Sequence, residues 1–403
     1  MNLHTCKPQT AKSMFRLLVT IHDVRRTGVF MSVFLLDMAN REKWNTYTRA
    51  ARDTDVYFSA DYCRVYEDNG EGKSQLFVYE EGDEFVCYPY LLRDASHLPG
   101  LRELNVTKPI YDITTPYGYG GPISNVADAD RRARLFRKFE QQFDAYCHEH
   151  RIVSEFVRFH PLLNNWRDYN AVSPQFERNT VFVDLTLSEE EMLKAFSRDN
   201  RNRIRRAQRE GFYVTIEEPT RLDNLTRLYD ATMLKKQASA YYYFNSNFFQ
   251  NTTSYLEGYV KLMEVHADNK VIASCLFMHE GDYAHYHLMG SDQAYLKAAP
   301  INLLIYEAAL WAKSQGCKKL HLGGGLTGND NLFRFKRSFN EREWADFYVG
   351  RRIRHQSLYD AAALILNKQY GIAGAESAYF PMYRNPLLFN TSTESSCSEA
   401  SSG

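Results

Sequence analysis

Ala299-Pro300-Ile301-Asn302-Leu303-Leu304, running on to Gly316, is followed by Lys319-Leu320-His321-Leu322, then Gly323-Gly324-Gly325, then Leu332-Phe333-Arg334-Phe335-Lys336-Arg337-Ser338-Phe339. This order predicts a helix, a short strand, a glycine run and a basic–aromatic pair. Pro300 suits the first turn of a helix, where its missing N–H leaves no bond unmade. Ile301, Leu304, Ile305, Ala308 and Ala312 recur on one face at helical spacing, and Gly316 supplies a C-terminal stop. Three glycines directly after a strand let backbone N–H groups come close to a ligand. Lys336, just beyond, is placed to meet an anion or a reacting group.

Outward from that stretch, the two halves of the chain repeat one plan. A helical stretch around Glu42–Arg52, the run Val56-Tyr57-Phe58-Ser59 and a short helix through Tyr66 are matched by a helical stretch around Leu222–Lys236, the run Tyr242-Tyr243-Phe244-Asn245-Ser246 and a helix through Tyr255. Each series leads into a strand, a polar turn and a strand: Gln75–Glu80 and Phe85–Leu92, then Val260–His266 and Val271–His279. Each half then runs helix into strand, Arg131–His150 into Val153–Phe159 and Pro300–Gln315 into Lys319–Leu322. A nearly constant offset at both landmarks is the mark of an internal repeat. Strand pairs followed by a helix and a strand predict mixed α/β layers. The expected seam is Pro161–Arg178, rich in Asn and Pro. The expected division is an N-terminal extension at 1–30, a first unit at 31–170, a second, catalytic unit at 171–389 and a disordered tail at 390–403, rich in Ser, Thr and Glu. Met31 is a possible initiator.

Composition narrows the function. Lys plus Arg and Asp plus Glu balance at 49 each, so no global charge advertises nucleic acid or an anionic membrane, and any anion site is local. The 28 tyrosines suit clefts for polar ligands as well as core rims. Seven scattered cysteines without a Cys-x-x-Cys favour reduced thiols over disulfides or a zinc site. Phe15–Ile21 and Val29–Leu36 are too short to span a bilayer, and the expected location is cytoplasmic.

Two further segments complete the pattern. Arg201, Arg205 and Arg209 stack at i, i+4 and i+8 within Arg201-Asn202-Arg203-Ile204-Arg205-Arg206-Ala207-Gln208-Arg209-Glu210-Gly211, with Arg198, Asn202 and Arg206 alongside. Such like charges repel by a few tenths of a kcal/mol per pair unless compensated. A bound phosphate group would compensate them, since guanidinium forks suit phosphate oxygens; so would a solvated face partnered by Asp199 and Glu210. The other segment is Tyr111-Asp112-Ile113-Thr114-Thr115-Pro116-Tyr117-Gly118-Tyr119-Gly120-Gly121-Pro122.

Together with the opening stretch, these two segments resemble, in the same order, the FemAB-like branch of the GNAT acyltransferase superfamily. Members carry an Arg-x-x-Ile-Arg-x-Ala-x-x-x-Gly helix leading into a strand, a Ser-Pro-Tyr-Gly-type segment in the first half, and a late series of helix, Gly, strand, Gly-Gly-Gly and Phe-Lys. The resemblance implies two tandem GNAT-like units and transfer of an acyl or aminoacyl group onto an amine, on a cell-envelope or polysaccharide precursor. Lys336 corresponds to the family lysine beside the reacting centre. His287, on one face with His285 by strand alternation, is the candidate base because its ordinary pKa lies near neutrality; a packed or surface histidine is the competing reading. Substrate binding falls to Arg201, Arg205, Tyr117, Tyr119, Tyr243, Gly323, Gly324 and Phe335, with Arg201, Arg205 and Lys336 expected in one cleft.

An acetyl-CoA-binding GNAT domain carries Gln/Arg-x-x-Gly-x-Gly/Ala before its late helix, but Asp292–Pro300 holds no glycine. No tightly bound cofactor and no metal are expected; acyl-CoA or aminoacyl-tRNA would act as co-substrate. Two alternatives remain open at this point: aminoacyl-tRNA-dependent transfer, although no heptad arm appears, and a non-catalytic polar-ligand or RNA-binding module.

Overall fold

In the computed structural model, residues 31–328, 330–371 and 379–390 are described. The N-terminal extension 1–30 and the tail beyond Asn390 lie outside the described residues. Strands β1 (Met31–Leu36), β2 (Lys73–Glu81), β3 (Glu84–Asp94), β4 (Tyr111–Thr114), β5 (Ile123–Ser124) and β6 (Ile152–Arg158) come first. They are followed by β7 (Gln175–Asp184), β8 (Tyr213–Glu217), β9 (Val260–Ala267), β10 (Lys270–Glu280), β11 (Tyr283–Ser291), β12 (Lys319–Gly324) and β13 (Ala345–Ile353). The helices are α1 (Arg41–Ala50), α2 (Ala60–Asp68), α3 (Ala129–Glu149), α4 (Glu189–Ala195), α5 (Arg198–Arg209) and α6 (Asp223–Lys235). Then come α7 (Ser246–Tyr255), α8 (Pro300–Ser314), α9 (Asn331–Arg337), α10 (Gln356–Tyr370) and α11 (Leu387–Asn390). None of these helices is long and apolar enough to cross a membrane.

All the strands join one continuous mixed sheet in the order β1-β2-β3-β4-β6-β13-β7-β12-β11-β10-β9-β8, with β5 on β3. The expected repeat is visible in this order. In the first half the antiparallel strands β2, β3 and β4 meet β6 in parallel, with α3 as the crossover. In the second half β9, β10 and β11 meet β12 in parallel, with α8 as the crossover.

Alternation along the strands feeds cores on both faces. Leu276 and Met278 of β10 join a core with α2, α6 and α7, while Cys275 and Phe277 face α5 and α8. The first of these cores is shared by the halves, because Trp44, Tyr62 and Leu76 pack in it with Leu225, Phe249 and Leu276. Helix starts are fixed by side-chain caps: Ser59 accepts from the Tyr62 N–H, Ser197 from Asn200, and Ser188 forms a reciprocal capping box with Glu191.

Packing does not follow the division expected at 171–389. Strand β13 pairs with β6 of the first half as well as with β7. Arg354, just after it, is a buried cation paired with the buried Glu155 at 2.6 Å. Helix α10 and Met382, Tyr383 and Leu388 cover Leu98, Leu101 and Val153 of the first half. The seam predicted at Pro161–Arg178 ends in a strand, since β7 begins at Gln175 and carries the sheet across the middle.

Candidate active site

Strands β11 and β12 pair over three residues only, Tyr283–His285 with Lys319–His321, and then part. The gap beyond is flanked by the N-terminus of α8, by α9 and by α6. Helix α9 is anchored by Asp330: Oδ1 accepts from the Phe333 N–H at 2.8 Å, and Oδ2 accepts from Leu326 and Thr327 at 2.6 and 3.1 Å. A Cβ on Gly325 would sit 2.3 Å from Asp330 Oδ1, so glycine is what lets the loop close on its cap. Gly323 has φ +74, and a Cβ there would lie 3.3 Å from Lys336 Nζ and 3.9 Å from the Tyr119 hydroxyl. The bare glycine thus leaves a small space faced by an amine and a phenol.

Lys336 is 8% exposed and donates to the Gly324 carbonyl at 2.8 Å. Burial, reinforced by the nearby Lys236 cation and opposed by Asp330, brings its ammonium pKa down to about 7. The amine therefore exists in both protonation states near neutral pH.

A buried histidine cluster adjoins this space. Asp55 Oδ2 accepts from His160 Nε2 at 2.8 Å and from His285 Nε2 at 2.7 Å. Burial alone would raise the Asp55 pKa, but the two imidazoles outweigh it and hold the carboxyl well below its usual range. His321, on β12, donates through Nε2 to Thr180 Oγ1 at 2.9 Å, and its ring lies 5.2 Å from that of Tyr119 and 5.7 Å from that of His285. Desolvation, then the neighbouring histidines and Lys336, hold the His321 pKa well below its ordinary value. His287 is half-buried beside Tyr62, and desolvation followed by His285 lowers its pKa to about 3, so it is neutral at physiological pH.

Asp55, His160 and His285 have ligand-type atoms within 4.8 Å of one another, the one such group among the described residues. The hydrogen bonds argue against a metal there. His160 Nδ1 accepts from the backbone N–H groups of Leu162 and Leu163, both at 3.3 Å, so its proton sits on Nε2 and is given to Asp55. A metal would need that nitrogen bare.

Two recesses flank the site. One, of about 360 Å³, is lined by Arg203, Lys235 and Lys236, by Tyr286, Met289, Leu296 and Phe335, and by Pro300–Asn302 at the start of α8. The other, of about 900 Å³, lies where β4 and β6 part and is lined from both halves, by Arg93, Arg158, Tyr117 and Phe156 and by Arg351, Arg384 and Tyr241. Arg93 and Arg384 share Asp112. The Arg158 guanidinium stacks 4.9 Å over Phe156 and has no carboxylate partner among the described residues.

Of the residues singled out in the sequence, Lys336, Gly323, Gly324 and Tyr119 come together, Phe335 lines the smaller recess and Tyr117 the larger. Tyr243 is 44% exposed and lines neither. Arg201 and Arg205 do not share a cleft with Lys336. Arg201 donates to the Leu193 and Phe196 carbonyls, tying α5 to the end of α4. Arg205 lies in an outer groove with Asn202, Gln208 and Arg209, and Arg203 is the arginine of α5 that reaches the smaller recess. Asp55, His160, Thr180 and His321 were not anticipated. A histidine between two core leucines, as in Leu320-His321-Leu322, was the available signal.

A parted parallel strand pair, a recess at a helix start and a buried lysine thus meet in the second half of the chain. Residues 194–337, which contain that recess and Lys336, match the acetyltransferase (GNAT) domain family. No curated protein matches the chain. Among solved structures, FemX aligns with a TM-score of 0.61 at 12% identity, covering 81% of this chain and 98% of FemX. A conserved protein of unknown function from Bacteroides thetaiotaomicron aligns with a TM-score of 0.53 at 13% identity, covering 79% and 98% of the two chains. Residues 194–337 thus match a GNAT-type acetyltransferase domain, and the chain as a whole has a FemX-like fold.

Proposed function

We propose that the protein is built of two GNAT-like units, the second catalytic, and moves an acyl group from an acyl-CoA-like donor to an amine on a cell-envelope or polysaccharide precursor. The observation that carries this reading is Lys336, a buried amine facing the space that Gly323 leaves open beside the Tyr119 hydroxyl. The donor would occupy the smaller recess. Its phosphates would meet Lys235, Lys236 and Arg203, in place of a glycine loop whose N–H groups Pro300 cannot fully supply. Its acyl chain would lie along Met289, Leu296 and Phe335. The acceptor's phosphate or carboxylate would meet Arg158 and Arg351 in the larger cleft, which Tyr117 links to Tyr119 two residues on.

Attack of the amine on the acyl carbon places negative charge on the carbonyl oxygen, and the Lys336 ammonium with the Tyr119 hydroxyl would stabilise it. Holding the two substrates together supplies roughly 7–11 kcal/mol at best. A strong base is therefore a smaller requirement, and His287, half-buried beside Tyr62, is assigned a minor role.

Aminoacyl-tRNA is the second donor reading, favoured by the exposed groove of Arg205 and Arg209 on the helix that also carries Arg203. Single-turnover assays with acetyl-CoA and with aminoacyl-tRNA decide between them; a steep fall of tRNA binding with salt would mark phosphate contacts. With the working donor, Arg158→Ala should raise the acceptor KM about 10- to 100-fold with kcat little changed, the loss of one charged hydrogen bond. No transfer from either donor, or an unchanged acceptor KM, would count against the reading.

A further inference from the structure

The hydrogen bonds around His321 fix which of its nitrogens carries the proton. Thr180 Oγ1 donates its single hydrogen to the Ala345 carbonyl at 3.1 Å. The 2.9 Å contact between Thr180 Oγ1 and His321 Nε2 is therefore donated by the imidazole. His321 is held as the Nε2–H tautomer, and its Nδ1 lone pair makes no hydrogen bond among the described residues. The groups around it are His285 on β11, His160 beyond β6, Asp55, Tyr119 and the Lys336 amine. His285 offers no competing proton. Its Nε2–H is committed to Asp55, and its Nδ1 is buried with no partner.

We propose that His321, not His287, takes up the proton of the acceptor amine, with Thr180 as the positioning residue that keeps Nδ1 bare. This rests on the acyl-transfer reading above. An amine arriving as an ammonium gives one proton to Nδ1, producing an imidazolium that desolvation keeps short-lived. The free amine forms the C–N bond, with the oxyanion held by Lys336. As the tetrahedral centre collapses, the bond to the donor's leaving atom breaks, the imidazolium gives its proton to that atom, and the extra proton left on the nitrogen passes to the vacated Nδ1 and on to solvent. One proton is thus released to solvent for each amide formed, and protons and electron pairs balance with no further reactant. The geometry suits this division of work, because Lys336 and the Tyr119 hydroxyl face the space beside Gly323 while the ring of His321 lies against Tyr119, two residues before that glycine.

The test compares two small acceptors on the full-length protein with acetyl-CoA as donor: methylamine, almost wholly protonated at pH 7, and hydroxylamine, largely neutral there. His321→Asn should lose about 10²-fold or more in single-turnover rate with methylamine and far less with hydroxylamine, which needs no proton removed before attack. Thr180→Val should follow the same pattern, and Thr180→Ser should restore it. Nitrogen-15 spectra of the imidazoles, assigned by the signal lost in His321→Asn, should show Nε2–H in the wild type and a mixed tautomer in Thr180→Val. Equal losses with both amines, or none with methylamine, would overturn the role of His321 while leaving acyl transfer intact. An Nδ1–H tautomer in the wild type would overturn it without reference to activity. A wild type inert towards both amines would overturn the acyl-CoA reading and the His321 role with it.

Discussion

Replacing Lys336 with methionine keeps the length of the side chain and removes its charge. Burial moves the ammonium pKa from the ordinary 10.5 to about 7. At about 1.36 kcal/mol per pKa unit, 3.5 units correspond to roughly 5 kcal/mol of disfavoured charge in the folded state. Loss of the bond to the Gly324 carbonyl offsets roughly 1.5–3 kcal/mol of that. Lys336→Met should therefore be more stable than wild type by about 2–3 kcal/mol at pH 6. The sign follows from linkage. Below pH 7 the lysine is charged whether folded or unfolded, so wild type bears the full penalty. Between pH 7 and 10.5 the unfolded chain still binds the proton and the folded one does not, so wild-type stability rises with pH and the gain shrinks. Urea unfolding at pH 6, 8 and 10 measures this, and single-turnover acyl transfer should fall by about 10²–10³-fold in the same variant. A variant less stable than wild type at pH 6, or a gain that does not change with pH, would refute a lysine held near neutrality by burial.

Two further substitutions probe the frame of the site. Gly325→Ala drives a methyl group to 2.3 Å from Asp330 Oδ1, and should cost about 1–3 kcal/mol by thermal unfolding and slow transfer through loss of the α9 cap; wild-type behaviour in both assays would show the loop can relax. Asp55→Asn leaves two buried imidazole N–H donors facing a neutral amide, and should destabilise by about 3–5 kcal/mol at pH 7. Because the Asp55 pKa is depressed, its contribution is present above the ordinary carboxylate range and lost as pH falls, so the variant should also show a shallower acid-unfolding profile. Superimposable acid profiles would place the acid sensitivity elsewhere.

The strand pairs and crossover helices of both halves were legible because each carries its own period and its own turn residues. The joints between the halves were not. Strand β7 starts inside a segment of Asn, Pro and Arg with three exposed residues, Gln175–Glu177, and β13 is bounded by charge rather than by turn signals. Their partners, not their composition, make them strands, and pairing between distant segments leaves no local trace. The arginine stripe of α5 was read correctly as a stripe but not as to its neighbours, since Asn200, Ile204 and Ala207 set the inner face and leave Arg203 nearest the recess. Lys336 was legible from its place after the glycines. The Asp55–His160–His285 cluster was not, because its members stand 105 and 230 residues apart and meet only when the halves close.

The pairing of β13 with β6 has a bearing on how the chain emerges from the ribosome. Strand β6 ends at Arg158 and its neighbour begins at Ala345, so the first half presents an unsatisfied row of peptide groups while nearly all of the second is still being made. At the usual pace of synthesis that interval is on the order of 10–40 s. Throughout it, any nascent chain with a compatible strand can dock where β13 belongs. Truncated products ending anywhere between these two strands would share that adhesive border, and a stop codon just before Ala345 would be as damaging as one just after Arg158.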